Sequence, residues 1–151
     1  MFTYKTLMLA TDFSEGAAKA AQHAASLAQL CQARLHVVHV ITELSDKRRR
    51  RLPAAVVETF VREIETHALE DMNHFVEQHF ADAGQQGYQV TSDVVLGADY
   101  HAILEEATKV GADLLVMGTH GRTGIEKVLV GSTAERVVRS ASIPVLTVRS
   151  H

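Results

Sequence analysis

The chain has 151 residues, 46% of them hydrophobic, with 5% aromatic residues, no Trp and a formal net charge of −3. That is one domain's length, enough for a core of its own, and too apolar for a disordered chain. The acidic balance excludes a general attraction to nucleic acid or acidic lipid. The single cysteine, Cys31, excludes an intrachain disulfide and a CxxC zinc or redox pair. The start, Met1 to Thr6, has no basic segment leading into a long apolar one. No apolar run approaches the roughly 18 residues that a membrane-spanning helix needs. The expected address is cytoplasmic, with neither a membrane nor a nucleic acid as partner.

Thr6-Leu-Met-Leu-Ala10 is a short continuous apolar run and predicts a strand buried on both faces. Thr11-Asp12-Phe13-Ser14 breaks it, and Ser14 is a good N-cap for a helix with Glu15 in its first turn. From Ala17 to Leu30 small residues recur at helical spacing (Ala18, Ala21, Ala25, Ala28), so this helix can lie close on a sheet. Arg34 to Ile41 is β-branched and apolar and predicts a second strand. The polar, basic run Ser45 to Arg51, ending at Pro53, is expected to be a mobile excursion over about 43–55.

Val57, Phe60, Val61, Ile64, Ala68, Met72, Phe75, Val76 and Phe80 recur at spacings of three and four. They predict a long amphipathic helix ended by Gly84 and Gly87. Tyr88 to Leu96 alternates in part and predicts a strand with one wetter face, nearer a sheet edge. Asp99 is expected to cap a helix through Ala102, Ile103, Ala107 and Val110 that Gly111 stops. Asp113 to Met117 predicts a strand, Ala134 to Ser140 a helix, and Ile143 to Val148 a last strand. Its Pro144 suits a strand start or an edge.

Five strands alternating with four helices predict an α/β fold: one open parallel sheet with helices on both faces. Right-handed crossovers leave few strand orders. The flavodoxin-like order 3-2-1-4-5 sets strands one and four side by side at a switch point, and ligands in such sheets bind at the carboxyl ends of the strands there. Strand one ends at Asp12 and strand four at Gly118. No internal repeat or second domain is visible, so residues 1–151 are expected to form a single domain.

After strand four comes Gly118-Thr-His-Gly121-Arg-Thr-Gly124, then Gly131-Ser132-Thr133, then a helix. A loop of about fourteen residues is long for this place, where about 2–6 are usual. Strand, glycine-rich loop, hydroxyl residues and helix outline a phosphate cradle. Glycines let backbone N–H groups close on an anion, and a helix start adds free donors and a positive dipole end. His120 and Arg122 lie in the same loop, either as cations that clamp phosphate or as solvated charges, while Lys127 reads as a solvated charge.

Other candidates carry less. The run Lys47 to Arg51 has no aromatic residue interleaved and reads as a solvated loop. His67 and His74 share a helix face with Asp71 but stand seven apart, and His36 and His39 point to opposite faces of a strand. None of these makes a zinc-like spacing. Cys31 reads as a packed small residue.

The chain resembles the nucleotide-binding kind of universal stress protein. That family's motif is glycine, two residues, glycine, nine residues, glycine, then Ser or Thr. It stands here as Gly118, Gly121, Gly131 and Ser132, with a matching aspartate, Asp12, after the first strand and the closing Ser-Ile-Pro-Val-Leu-Thr-Val. The resemblance spans essentially the whole chain. It implies a Rossmann-like, adenine nucleotide alpha hydrolase-like fold, ATP as ligand and a homodimer joined through the last strand, Val145 to Val148. The implied site comprises Thr11, Asp12, Val40, Met117, Gly118, His120, Gly121, Arg122, Gly131, Ser132 and Thr133. Backbone around the glycines, with the Ser132 and Thr133 hydroxyls, would hold phosphates. Val40 would offer backbone groups to adenine, and apolar side chains there, with Thr11, suit a flat base. Asp12 would accept from ribose hydroxyls, or else cap the first helix. Magnesium or manganese could bridge the phosphates, but the sequence offers no dedicated carboxylate cage for it.

The leading expectation is a cytoplasmic binding module that couples ATP to a stress response through its dimer. A slow ATPase or an adenylyl-transferring enzyme is the alternative, and a nucleotide-free structural dimer the third. A hydrolase needs a positioned base and charge clamps. The sequence has no Walker GxxxxGK[ST], no HIGH-type or SGGxDS-type signature, and no obvious base beyond Asp12, so no catalytic residue is assigned.

Overall fold

The computed structural model describes residues 1–42, 52–119 and 132–150. In chain order they form β1 (Thr6–Ala10), α1 (Glu15–Cys31), β2 (Arg34–Ile41), α2 (Ala54–Phe80), β3 (Val90–Leu96), α3 (Asp99–Val110), β4 (Leu114–Gly118), α4 (Ser132–Ser140) and β5 (Val145–Val148). All strand pairs are parallel, in the order β3-β2-β1-β4-β5. The expected sheet, with its switch point between β1 and β4, is therefore the one that forms.

The apolar runs of β1, β2 and β4 are buried on both faces because helices cover both sides. Leu7, Leu9, Leu35, Val37 and Val116 pack with α1 and with Met72 and Phe75 of α2. Met8, Val38, Leu115 and Met117 pack on the other face with Ile103 and Ala107 of α3 and Val137 of α4. On α1, Ala20, Ala21, Ala24 and Ala28 are fully buried. Small side chains there let the helix axis approach the sheet, so the alanine stripe is a packing device. Ser14 is the N-cap as expected, its hydroxyl accepting from Ala17 N at 3.3 Å.

Several boundaries move for physical reasons. The helix α2 begins at Ala54, just after Pro53, inside the stretch expected as an excursion, because Pro53 carbonyl already accepts from Val56 and Val57 N. It ends at Phe80, before Gly84. Gly87, at φ +85°, serves the turn into β3, a conformation that favours glycine. The cap of α3 is Ala98 without a side-chain bond, and Asp99 is the first helical residue rather than the cap. Asp113 precedes β4 because its carboxylate is used elsewhere: it accepts from Lys5 N at 2.8 Å and Thr6 N at 3.1 Å, tying the starts of β1 and β4 together. The basic run, Lys47 to Arg51, lies outside the described residues.

A buried polar network crosses the second face. His36 Nε2 meets Glu106 Oε1 at 3.1 Å and His36 Nδ1 meets Thr91 Oγ1 at 2.7 Å, linking β2, α3 and β3. Glu106 is 5% exposed, and Lys109 Nζ stands 3.8 Å from its other oxygen. Two strands and a helix are thus tied by one satisfied set of partners.

Candidate functional site

The strand β1 is flanked on both sides up to its last residue. Ala10 is in register with Val38 of β2 and Met117 of β4. The chain that leaves β1 as Thr11-Asp12 therefore emerges beside the chain that leaves β4 as Gly118-Thr119. Sequence order placed these two loops about a hundred residues apart; the parallel order places them together at the carboxyl end of the sheet.

The first loop is held from several directions. Thr11 N donates to Val38 carbonyl at 2.9 Å, Thr11 carbonyl accepts from His39 Nδ1 at 2.8 Å, and Thr11 Oγ1 accepts from Phe13 N at 3.0 Å. A carbonyl only accepts, so the His39 proton is on Nδ1. Phe13 has φ of 63°, a left-handed conformation that costs of order 1–3 kcal/mol for a side-chain-bearing residue. Its ring offsets that cost by packing on His39 (centroids 4.4 Å apart) and edge-on to Phe75 of α2 (5.7 Å). Asp12 Oδ1 accepts from Ser14 N at 3.0 Å. The cap of α1 is Ser14, so Asp12 braces the capping residue instead of capping the helix itself. Its carboxylate is thereby fixed in direction at the mouth of the crevice.

Gly118 closes β4, in register with Val148. A Cβ there would lie 3.2 Å from Gly16 carbonyl oxygen and 3.3 Å from its carbon. A side chain there would press on the α1 backbone where it approaches the end of β4, a packing reason for glycine that stands whatever the loop binds. Thr119 follows, buried, with its N donating to Val148 carbonyl at 3.0 Å. Met117 is buried in the core on the α3/α4 face. Val40 and Ala10 are half-buried beside it, with Tyr100 of α3 packed against the same cluster and Arg136 of α4 over the Tyr100 ring at 5.8 Å. Ser132 and Thr133 are the exposed first residues of α4. His120, Gly121, Arg122, Lys127 and Gly131 lie outside the described residues.

At the carboxyl end of the sheet the structure brings the braced carboxylate of Asp12 beside the Gly118-Thr119 exit of β4, with Val40, Ala10 and Tyr100 packed against the buried cluster on the α3/α4 face. Among the described residues no three His, Cys, Asp or Glu side chains gather as a metal site. The histidines of β2 take opposite faces, His36 toward Glu106 and His39 toward Thr11. Beyond the loop, the ring contacts run on from Phe75 to His79 at 4.5 Å. Burial, and then the nearby His74, lower the His79 pKa below its ordinary value. Burial, and then Asp82, raise that of Tyr88.

Sequence reading missed Phe13, His39, Tyr100 and Arg136 as parts of this region. His39 carried a signal, since alternation along β2 from the buried Val37 puts residue 39 on the same face at the strand's carboxyl end. Tyr100 and Arg136 carried none, as their meeting depends on how α3 and α4 cross.

Sheet order, helices on both faces and a crevice at the β1/β4 switch point define a Rossmann-like α/β domain. More narrowly, the chain belongs to the universal stress protein family, whose sequence model matches residues 3–149. A universal stress protein of Methanocaldococcus jannaschii is 29% identical over 97% of this chain and 95% of its own. Its solved structure superposes with a TM-score of 0.83 at 27% identity, covering 98% of this chain and 97% of that one. A second protein of that organism is 33% identical over 97% of this chain and 82% of its own. Two more distant structures share the fold: a universal stress protein in complex with cAMP (TM-score 0.68, 23% identity, 99% and 100% covered) and one from Archaeoglobus fulgidus in complex with dAMP (0.63, 18%, 97% and 99%). None of the described helices is long and apolar enough to cross a membrane.

Proposed function

We propose that this protein binds ATP in the β1/β4 crevice and acts in the cytoplasm as a dimeric, nucleotide-dependent stress-response module. The observation that carries the reading is that Asp12, braced by Ser14 N, leaves β1 beside the Gly118 end of β4 at the switch point, from which the chain runs on to α4. A fixed carboxylate suits vicinal ribose hydroxyls, and a helix start with Ser132 and Thr133 suits phosphate. Val40, Ala10 and Tyr100, partly buried against the same core cluster, would supply apolar surface for a purine. In two proteins of the same fold the bound molecules are cAMP and dAMP, both adenine nucleotides. The glycines of the family motif would supply phosphate-facing backbone, with magnesium or manganese shared among the phosphates.

The dimer half of the proposal rests on β5. It is an edge strand, and Leu115 N and Thr119 N donate to Pro144 and Val148 carbonyls. In a parallel ladder the alternate residues, Val145 and Thr147, then turn their backbone groups to the open side. An apolar edge of this kind is a pairing site, and a two-fold partner would cover it.

Isothermal titration with ATP and AMP tests the site, with identification of small molecules released when the purified protein is denatured. Saturable binding at or below millimolar ATP, with adenine nucleotide among the released molecules, is expected. No heat at millimolar ATP would refute the reading.

A further inference from the structure

The hydrogen bonds between β1 and β2 follow one register. Arg34 N donates to Lys5 carbonyl and Thr11 N to Val38 carbonyl, with Thr6 to Ala10 paired to Arg34 to Val38 in between. Residues 34, 36 and 38 of β2 therefore direct their backbone groups toward β1. Odd residues turn toward β3, as Leu35 N to Gln89 carbonyl and Gly97 N to Ile41 carbonyl show. Val40 belongs to the first set. The next bond in the ladder would run from Val40 N–H to Thr11 carbonyl. Among the described residues that bond is not made, and Thr11 carbonyl takes His39 Nδ1–H instead.

We infer that His39 is a positioning residue that opens the sheet at this point. By supplying a side-chain donor to Thr11 carbonyl, it lets β1 peel away one residue early and leaves Val40 N–H directed into the crevice for an acceptor on a ligand. The stack of His39 on Phe13, itself packed on Phe75, holds the ring in that role. The left-handed backbone of Phe13 turns the chain out of the sheet directly after Asp12. One imidazole thus governs the availability of Val40 N–H. The ligand chemistry is a heteroaromatic ring with an in-plane nitrogen acceptor beside an apolar face. This inference rests on the nucleotide reading for the ring's identity, but its structural half stands apart from it.

The test uses the full-length protein without nucleotide first. In His39→Phe the ring stays and the donor is lost, so Thr11 carbonyl is free to take the ladder bond from Val40 N–H. Amide exchange at Val40, read by NMR, is expected to slow at least tenfold. The thermal midpoint should stay within about 3 °C, because one hydrogen bond replaces another. ATP affinity is expected to fall about tenfold, the scale of one lost hydrogen bond. His39→Asn, whose side-chain N–H₂ stands near the place of Nδ1, should keep wild-type exchange and affinity. If His39→Phe does not fold, His39→Gln, with its amide displaced toward the Nε2 place, carries the same expectation. Unchanged exchange at Val40 in the donor-less variant overturns the inference whatever the affinity. Slowed exchange with unchanged ATP affinity also overturns it, since the opened N–H would then serve no ligand. If the wild-type protein binds no nucleotide, the functional reading fails, and the exchange result still decides the role of His39.

Discussion

Glu106→Ala gives the sharpest test of how the second face of the sheet is held. Glu106 is 5% exposed, and its Oε1 is the partner of His36 Nε2 at 3.1 Å. His36 is itself 9% exposed, with Thr91 Oγ1 as its other partner. Truncation leaves the imidazole N–H buried without an acceptor, about 1–3 kcal/mol, and removes one buried methylene along with the carboxylate, about 0.8 kcal/mol more. A loss of about 3 kcal/mol is expected, a fall in midpoint of about 6–12 °C for a chain of this size. Glu106→Gln keeps an oxygen in reach of Nε2 and should cost about 1 kcal/mol. Urea unfolding followed by circular dichroism, with the slope checked for constancy, measures both. If Glu106→Ala costs under about 1 kcal/mol, or Glu106→Gln costs as much as Glu106→Ala, the network does not hold β2, β3 and α3 together as argued.

Three further outcomes follow from named contacts. Thr147→Pro removes an N–H that faces the open side of β5 and spares the ladder to β4, so sedimentation at micromolar concentration should show a monomer that remains folded; a persistent dimer would mean that another surface joins the copies. The lowered pKa of His79 means that below about pH 6.5 the unfolded chain takes up a proton the folded chain resists, so stability falls as pH drops through that value. His79→Gln should flatten the fall of the urea midpoint between about pH 7 and pH 5.5, and a parallel pair of profiles would contradict this. Gly97→Ala would place a Cβ 2.5 Å from Ala102 Cβ, so the turn from β3 into α3 must shift, at about 1–3 kcal/mol by urea unfolding; a neutral variant would show that the turn relaxes freely.

Much of the architecture was legible because each element states its period. The continuous apolar run of β1 predicted a strand buried on both faces, and burial is what it shows. Alternating strand and helix, with right-handed crossovers, left the observed order among very few. Element ends were less legible. Asp113 looked like the first residue of a strand and turned out to tie two strand starts through its carboxylate. In Glu105-Glu106 two identical side chains stand together, one exposed and one buried. Helical phase with Ala102, Ile103 and Ala107 could have marked Glu106 as the inward one, but its partner His36 is seventy residues away and nothing local announces it.

The candidate site divides in the same way. Asp12, the Gly118 loop and Ser132-Thr133 were visible as residue types at fixed spacings, and the family followed from them. The reason for glycine at 118 was not visible, since it lies in the backbone of Gly16 across the sheet face. Nor was the role of His39 visible. A histidine in an apolar strand reads as core or ligand until the register shows that its Nδ1–H occupies the place of a ladder bond.

Sequence by itself determined which segments are strand and helix, which faces are apolar, and which small and hydroxyl residues flank the fourth strand. Those properties are local, set by side-chain period and backbone preference within a few residues. Only the tertiary structure decided that Asp12 is braced by Ser14 N, that β1 and β2 part at Thr11, and that Val40 N–H is turned into the gap. Register and partner choice depend on contacts between residues far apart in the chain, and no local pattern carries that information.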